Sequence, residues 1–139
     1  MAYDEESIEH AKEEETLILV GVAIGGAIGS VLRYLIQTHS LQWFGTSFPY
    51  GTLLVNVAGS LLIGFLSFIL LERITVSEEV RFAILVGVLG GFTTFSTFSF
   101  ETLNLIQQGN FISAMGNVLV SVSLCLFACF LGLSLARAI

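Results

Sequence analysis

Gly87-Val88-Leu89-Gly90-Gly91-Phe92-Thr93-Thr94-Phe95-Ser96-Thr97-Phe98-Ser99 lies inside an apolar run bounded by Arg81 and Glu101. The run is long enough to cross a bilayer, which takes about 20 residues. A glycine pair followed by two β-branched threonines is a poor helix interior. The stretch therefore predicts a membrane helix that breaks near Gly90-Gly91-Phe92-Thr93. A break at membrane depth frees backbone groups that lipid cannot satisfy, so they must be buried in protein or line a cavity. Broken helices are also where transport proteins hold ions. Phe95 and Phe98 then stand three apart on the helix that resumes. The edge of an aromatic ring is positive, so it can meet an anion without the full charge that would hold it too tightly for conduction. Taken alone, the pair reads more readily as two phenylalanines that pack or face lipid.

The rest of the chain supplies three more runs of this kind. Among 139 residues, 55% are hydrophobic and 12% charged, about half the charge of an ordinary soluble domain. The apolar segments run from Leu17 to Leu35, Gly51 to Leu71, Phe82 to Leu103 and Phe111 to Ala136. The expected architecture is an all-α integral membrane protein of four transmembrane helices, the third broken mid-membrane. Trp43, Phe44 and Tyr50 fall between the first two spans, where aromatic belts meet headgroups.

Charge is concentrated at one end. Residues 1–15 hold seven acids and Lys12, and from Thr16 onward four Arg balance four Glu. The chain divides into an acidic N-terminal tail, 1–15, and a four-helix membrane domain, 16–139. The tail reads as a solvated segment, disordered or a helical extension of the first span. Its acidic start is not that of a signal peptide. With no basic stripe, nucleic acid is excluded as a partner. An even number of spans puts both termini on one side, with Lys12, Arg73, Arg81 and Arg137, against Arg33 alone on the other. That bias favours cytoplasmic termini.

Polar groups at membrane depth are costly and tend to be functional. Thr52, Asn56 and Ser60 recur every four residues on one face of the second span, and Asn117, Ser121 and Cys125 do so on the fourth. All are neutral, and interhelical hydrogen bonding is their structural alternative. Neither a nucleophile–base pair nor a metal cluster is visible, so an enzyme is not expected. A proton-coupled four-helix exporter would need an acid in the first span, and there is none. A purely structural subunit would account for the glycines, including the Gly25/Gly29 pair, but not for the broken third run. Cys125 and Cys129 read as small packing residues.

Three segments together are specific. Gly25 to Tyr34 (GGAIGSVLRY), Gly51 to Ser60 (GTLLVNVAGS) and Gly87 to Phe98, ending TTFSTF, occur in order, one per helix. From about Leu17 to the C-terminus the chain resembles the CrcB, or Fluc, fluoride channel family. The resemblance implies passive, selective export of fluoride across the inner (plasma) membrane by an antiparallel, dual-topology homodimer with two pores. It places Asn56 as a donor to the ion and Phe95 and Phe98 as ring edges along the pore. Ser96, Thr97 and Ser99 lie beside them as a polar track. On the fourth helix, Asn117 and Ser121 fall where the family has a polar track, and Cys125 departs from its usual hydroxyl. Arg33 would stand at the vestibule; by their positions in the spans Arg33 and Glu101 also reach the same membrane side, where they can pair, and both readings can hold. The backbone carbonyls of Gly90 and Thr93 would hold a structural sodium ion at the dimer axis.

Selectivity for fluoride follows physically if donors replace the water of a small, strongly hydrated anion. Hydrogen fluoride enters as a neutral acid and ionises inside, so a passive exit suffices. An antiparallel homodimer requires each chain to insert both ways, which sits awkwardly with four basic residues against one. An oppositely oriented paralogue is the alternative partner.

Overall fold

The computed structural model describes residues 5–139, with side chains from Ile8. Residues 1–4 of the acidic tail, including Asp4, lie outside the described residues. Four helical runs are long and apolar enough to cross a membrane: Ile8–Phe44, Tyr50–Arg73, Glu78–Gln107 and Phe111–Ala138.

Helix α1 (Glu5–Phe44) has 40 residues, about 60 Å at 1.5 Å per residue and twice the hydrocarbon thickness. It overruns the expected Leu17–Leu35 at both ends. No proline or glycine interrupts residues 30–44, and the helix stops only at Gly45, whose φ of +74° closes the turn. At the other end, helix continues back through the acidic tail to Glu5. Trp43 stays 75% exposed, and Phe44 and Phe48 pack on Tyr50 with ring centroids 5.3 and 5.0 Å away.

Helix α2 (Tyr50–Phe68) widens into a π turn, Ile69–Arg73. The third span begins as α3 (Glu78–Phe82), passes through a second π turn (Ala83–Val88) and resumes as α4 (Leu89–Phe92). Thr93 and Thr94 are extended, with φ/ψ of −87°/160° and −154°/118°. Helix α5 (Phe95–Gln107) completes the span. The expected break is there, carried by the two threonines; Gly90 and Gly91 stay helical. Helix α6 (Phe111–Ala138) is continuous.

Two seams hold the bundle. Along α1 and the third span, a side chain on Gly29 would collide with the carbonyl of Val88 and the amide of Phe92. Along α2 and α6, Gly64 meets the Cys129 carbonyl and Gly132 the Leu61 carbonyl. The small residues thus bring backbones together within one chain, as small-residue faces do in membranes. Asn56 shares a cavity with Ser121 and Phe68 lies under Arg137, so α2 and α6 run parallel.

Candidate ion site at the broken span

The break is built by backbone accounting. At the end of α4, both the backbone N–H and the hydroxyl of Thr93 donate to the Leu89 carbonyl, each at 3.0 Å. Thr94 then caps α5. Its hydroxyl oxygen accepts from the Thr97 N–H at 3.2 Å and lies 3.0 Å from the Thr97 hydroxyl and 3.2 Å from that of Ser96. A threonine at this position satisfies an orphan N–H of the first turn.

Asn56, reaching from α2, pins the extended link. Its Oδ1 accepts the Thr94 N–H at 2.8 Å and its Nδ2 donates to the Thr94 carbonyl at 2.9 Å. One amide side chain thereby supplies the partners that a helical neighbour would have given. Its second N–H is left over, since the amide nitrogen carries two donors.

Beside the link is a cavity of about 310 Å³, lined by Asn56, Ser60, Phe95, Phe98, Ser121 and Cys125, among others. Phe95 and Phe98 meet with ring centroids 5.4 Å apart and planes tilted by 42°. Phe98 is 8% exposed and Phe95 77%. Cys125 lines the same cavity as Ser121.

The remaining residues singled out in the sequence fall into different places. Thr97 lines a second cavity of about 170 Å³, with Gln37, Ser40, Thr52 and Glu101. Ser96 and Ser99 are exposed, and Ser99 donates to the Phe95 carbonyl at 2.9 Å. Asn117 is buried, donating to the Thr102 hydroxyl at 2.8 Å and accepting from Ser121 at 3.2 Å. Gly90 lines the larger cavity, and beyond its own helix no atom of the described residues lies within 4 Å of where a side chain would begin.

Arg33 and Glu101 do not pair. Nη1 of Arg33 donates to the Thr93 carbonyl at 3.3 Å, so the guanidinium sits at the break. Glu101 faces α2, accepting from the Thr52 hydroxyl at 2.9 Å, while Thr52 accepts from Gln37 at 3.0 Å. The other Glu101 oxygen is buried without a hydrogen-bond partner among the described residues. The reason is angular: Arg33 lies where α1 crosses the link, and Glu101 is more than a turn further along α5 on the side toward α2. Gln37 lies beyond Leu35, where the first apolar run ends, so the sequence carries no membrane-depth signal for it.

Comparison with known proteins gives this geometry its context. The family model described as CrcB-like protein, Camphor Resistance (CrcB), matches residues 20–133. A fluoride-specific ion channel FluC of Magnetococcus marinus is 50% identical over 118 residues, covering 85% of this chain and 96% of that protein. The FluC of Rhizobium meliloti is 48% identical over 122 residues, covering 88% and 96%. The FluC of Methylococcus capsulatus is 49% identical over 121 residues, 87% of this chain, but the chain spans about half of that longer relative, 53%. These relatives are channels, not enzymes. The chain belongs to the CrcB/FluC family of fluoride-specific ion channels.

Proposed function

We propose that the chain exports fluoride passively from the cytoplasm through the plasma membrane, and that the ion passes the link pinned by Asn56. The single observation that carries this reading is the setting of Asn56. It holds the break with one N–H in reserve, beside two phenylalanine rings and the N-terminus of α5. An amide donor, ring edges and a helix N-terminus each favour a small anion. Arg33 at 3.3 Å from the Thr93 carbonyl adds positive charge near the same point. Ser96, Thr97, Ser99, Asn117 and Ser121 supply further donors. No step needs a coupling acid or nucleotide.

The exposed ring of Phe95 and the open space beside Gly90 support completion of the site by a second, antiparallel copy, giving two pores. On a two-fold axis the carbonyls of Gly90 and Thr93 would occur twice. Oxygens alone suit a hard cation, and with no carboxylate among them a monovalent ion such as sodium fits better than a divalent one. Bound there, it would offset inward-pointing carbonyl dipoles. The guanidinium on Thr93 works against such a cation, so Gly90 is the less encumbered ligand. Gly90→Val should therefore disrupt assembly and flux together, although the space is open within one chain. A heterodimer with an oppositely biased chain is the second reading, favoured by the basic residues at Arg73, Arg81 and Arg137 against Arg33.

Asn56→Asp in reconstituted protein tests the path. At an effective dielectric of about 20, a like charge ~4 Å away repels by about 4 kcal/mol, so flux should fall roughly 100-fold or more. Near-normal fluoride flux through assembled Asn56→Asp protein would return Asn56 to a packing role.

A further inference from the structure

At the C-terminal end of the α2–α6 seam, two cations share one ring. The guanidinium carbons of Arg73 and Arg137 each lie 5.8 Å from the centroid of the Phe68 ring. Neither arginine forms an ion pair among the described residues; the ion pairs there are His10–Glu13 and Glu78–Arg81. Glu72, the nearest acid in sequence, pairs with neither.

The fold goes to some length to bring them together. Arg73 follows Phe68 by five residues, a spacing that an α-helix places on different faces. The π turn Ile69–Arg73, in which the Ile74 N–H reaches back five residues to the Ile69 carbonyl at 3.0 Å, winds more slowly and returns Arg73 over the ring. Arg137 arrives from the last turn of α6, delivered by the close backbone contact at Gly132. Arg73 is the last residue of its span and Arg137 the last but one of its own, and Leu71, Leu135 and Ile139 around them are exposed. The pair therefore sits where apolar surface stops and headgroups begin.

We propose that Arg73, Arg137 and Phe68 form a binding site for the phosphate of an anionic phospholipid headgroup. Two like charges held on one aromatic platform repel unless an anion lies between or over them. Guanidinium forks match phosphate oxygens, and the ring fixes the arginines in place while leaving their N–H groups free. A lipid is the expected source because the neighbouring exposed leucines match acyl chains. The site lies apart from the ion path and does not depend on it.

The test is native mass spectrometry of the purified full chain in detergent, with phosphatidylglycerol or phosphatidylcholine added. Arg81→Gln, which removes an arginine already paired with Glu78, is the control. Wild-type and Arg81→Gln protein should retain phosphatidylglycerol several-fold over phosphatidylcholine. The Arg73→Gln/Arg137→Gln double variant should lose that preference. Should the double variant fail to fold, Phe68→Leu keeps both charges and removes the platform; it should lower retention several-fold. Equal retention of the two lipids by wild type, or a preference undiminished in the double variant or in Phe68→Leu, overturns the proposal. Displacement of the lipid by millimolar inorganic phosphate would assign the site to free phosphate and overturn the lipid assignment.

Discussion

The third and fourth spans both carry polar residues through the membrane, yet they do so differently. The fourth, α6, is an unbroken helix of 28 residues whose backbone is internally satisfied. It contributes side chains only, and Asn117 and Ser121 spend their hydrogen bonds largely on α5 and on each other. The third is interrupted at Thr93–Thr94, so it contributes backbone groups as well, and a side chain from another helix must hold them. A continuous polar helix can decorate a pathway. A broken one creates a place where donors and acceptors have no local partner and an ion can substitute for one. The third span is accordingly the part of the molecule on which conduction should depend most steeply.

The comparison can be broken first at its scaffold. Gly29→Val would push a branched side chain into the Val88 carbonyl and Phe92 amide, backbone atoms that no rotamer change relieves. Overpacking costs about 1–3 kcal/mol where neighbours can yield, and more where they cannot. Monodisperse protein should be nearly absent on size-exclusion chromatography. Normal recovery would mean the α1–third-span seam is looser than described.

Within the third span, Phe98→Ile keeps most of the volume and removes the ring edge. Fluoride efflux should drop about tenfold, the equivalent of ~1.4 kcal/mol, with the elution profile unchanged. Unchanged efflux would leave Phe98 a packing residue.

On the fourth span the effect should be smaller. Ser121→Ala deletes one hydrogen bond to Asn117, worth about 1 kcal/mol, and should reduce flux by no more than roughly fivefold. A loss as deep as that of Phe98→Ile would put the two spans on equal footing and undo the distinction drawn above. Smallest of all is Gly116→Ala, at a position where, beyond its own helix, no atom of the described residues lies within 4 Å of an added side chain. Alanine in a helix interior gains roughly 0.5–1 kcal/mol over glycine, so thermal stability should hold or rise slightly. Destabilisation there would reveal a neighbour, such as a second copy, against that face.

Much of this was legible in the residues. Four apolar runs fixed the number of spans, and Gly90-Gly91 with Thr93-Thr94 marked the break because propensity and β-branching both act locally. Polar strips were visible because residues four apart share a helix face. What local pattern could not give was direction between helices. Arg33 and Glu101 share a membrane end, but only packing decides that one meets the Thr93 carbonyl and the other Thr52. The C-terminal end of α1 was also hidden, since residues 36–44 are polar enough to read as a loop while containing nothing that stops a helix before Gly45. The π turns left no trace in sequence, for they arise where whole helices must align, as when Arg73 is brought round onto Phe68.

The most direct measurement is anion release from liposomes containing only this purified chain, loaded with fluoride or chloride and given a potassium ionophore to carry the counter-charge. Fluoride should leave rapidly, as followed with a fluoride-selective electrode, while chloride stays inside over the same period. Equal release of the two anions, or no fluoride release from well-folded protein, would contradict a fluoride-selective path through the broken span.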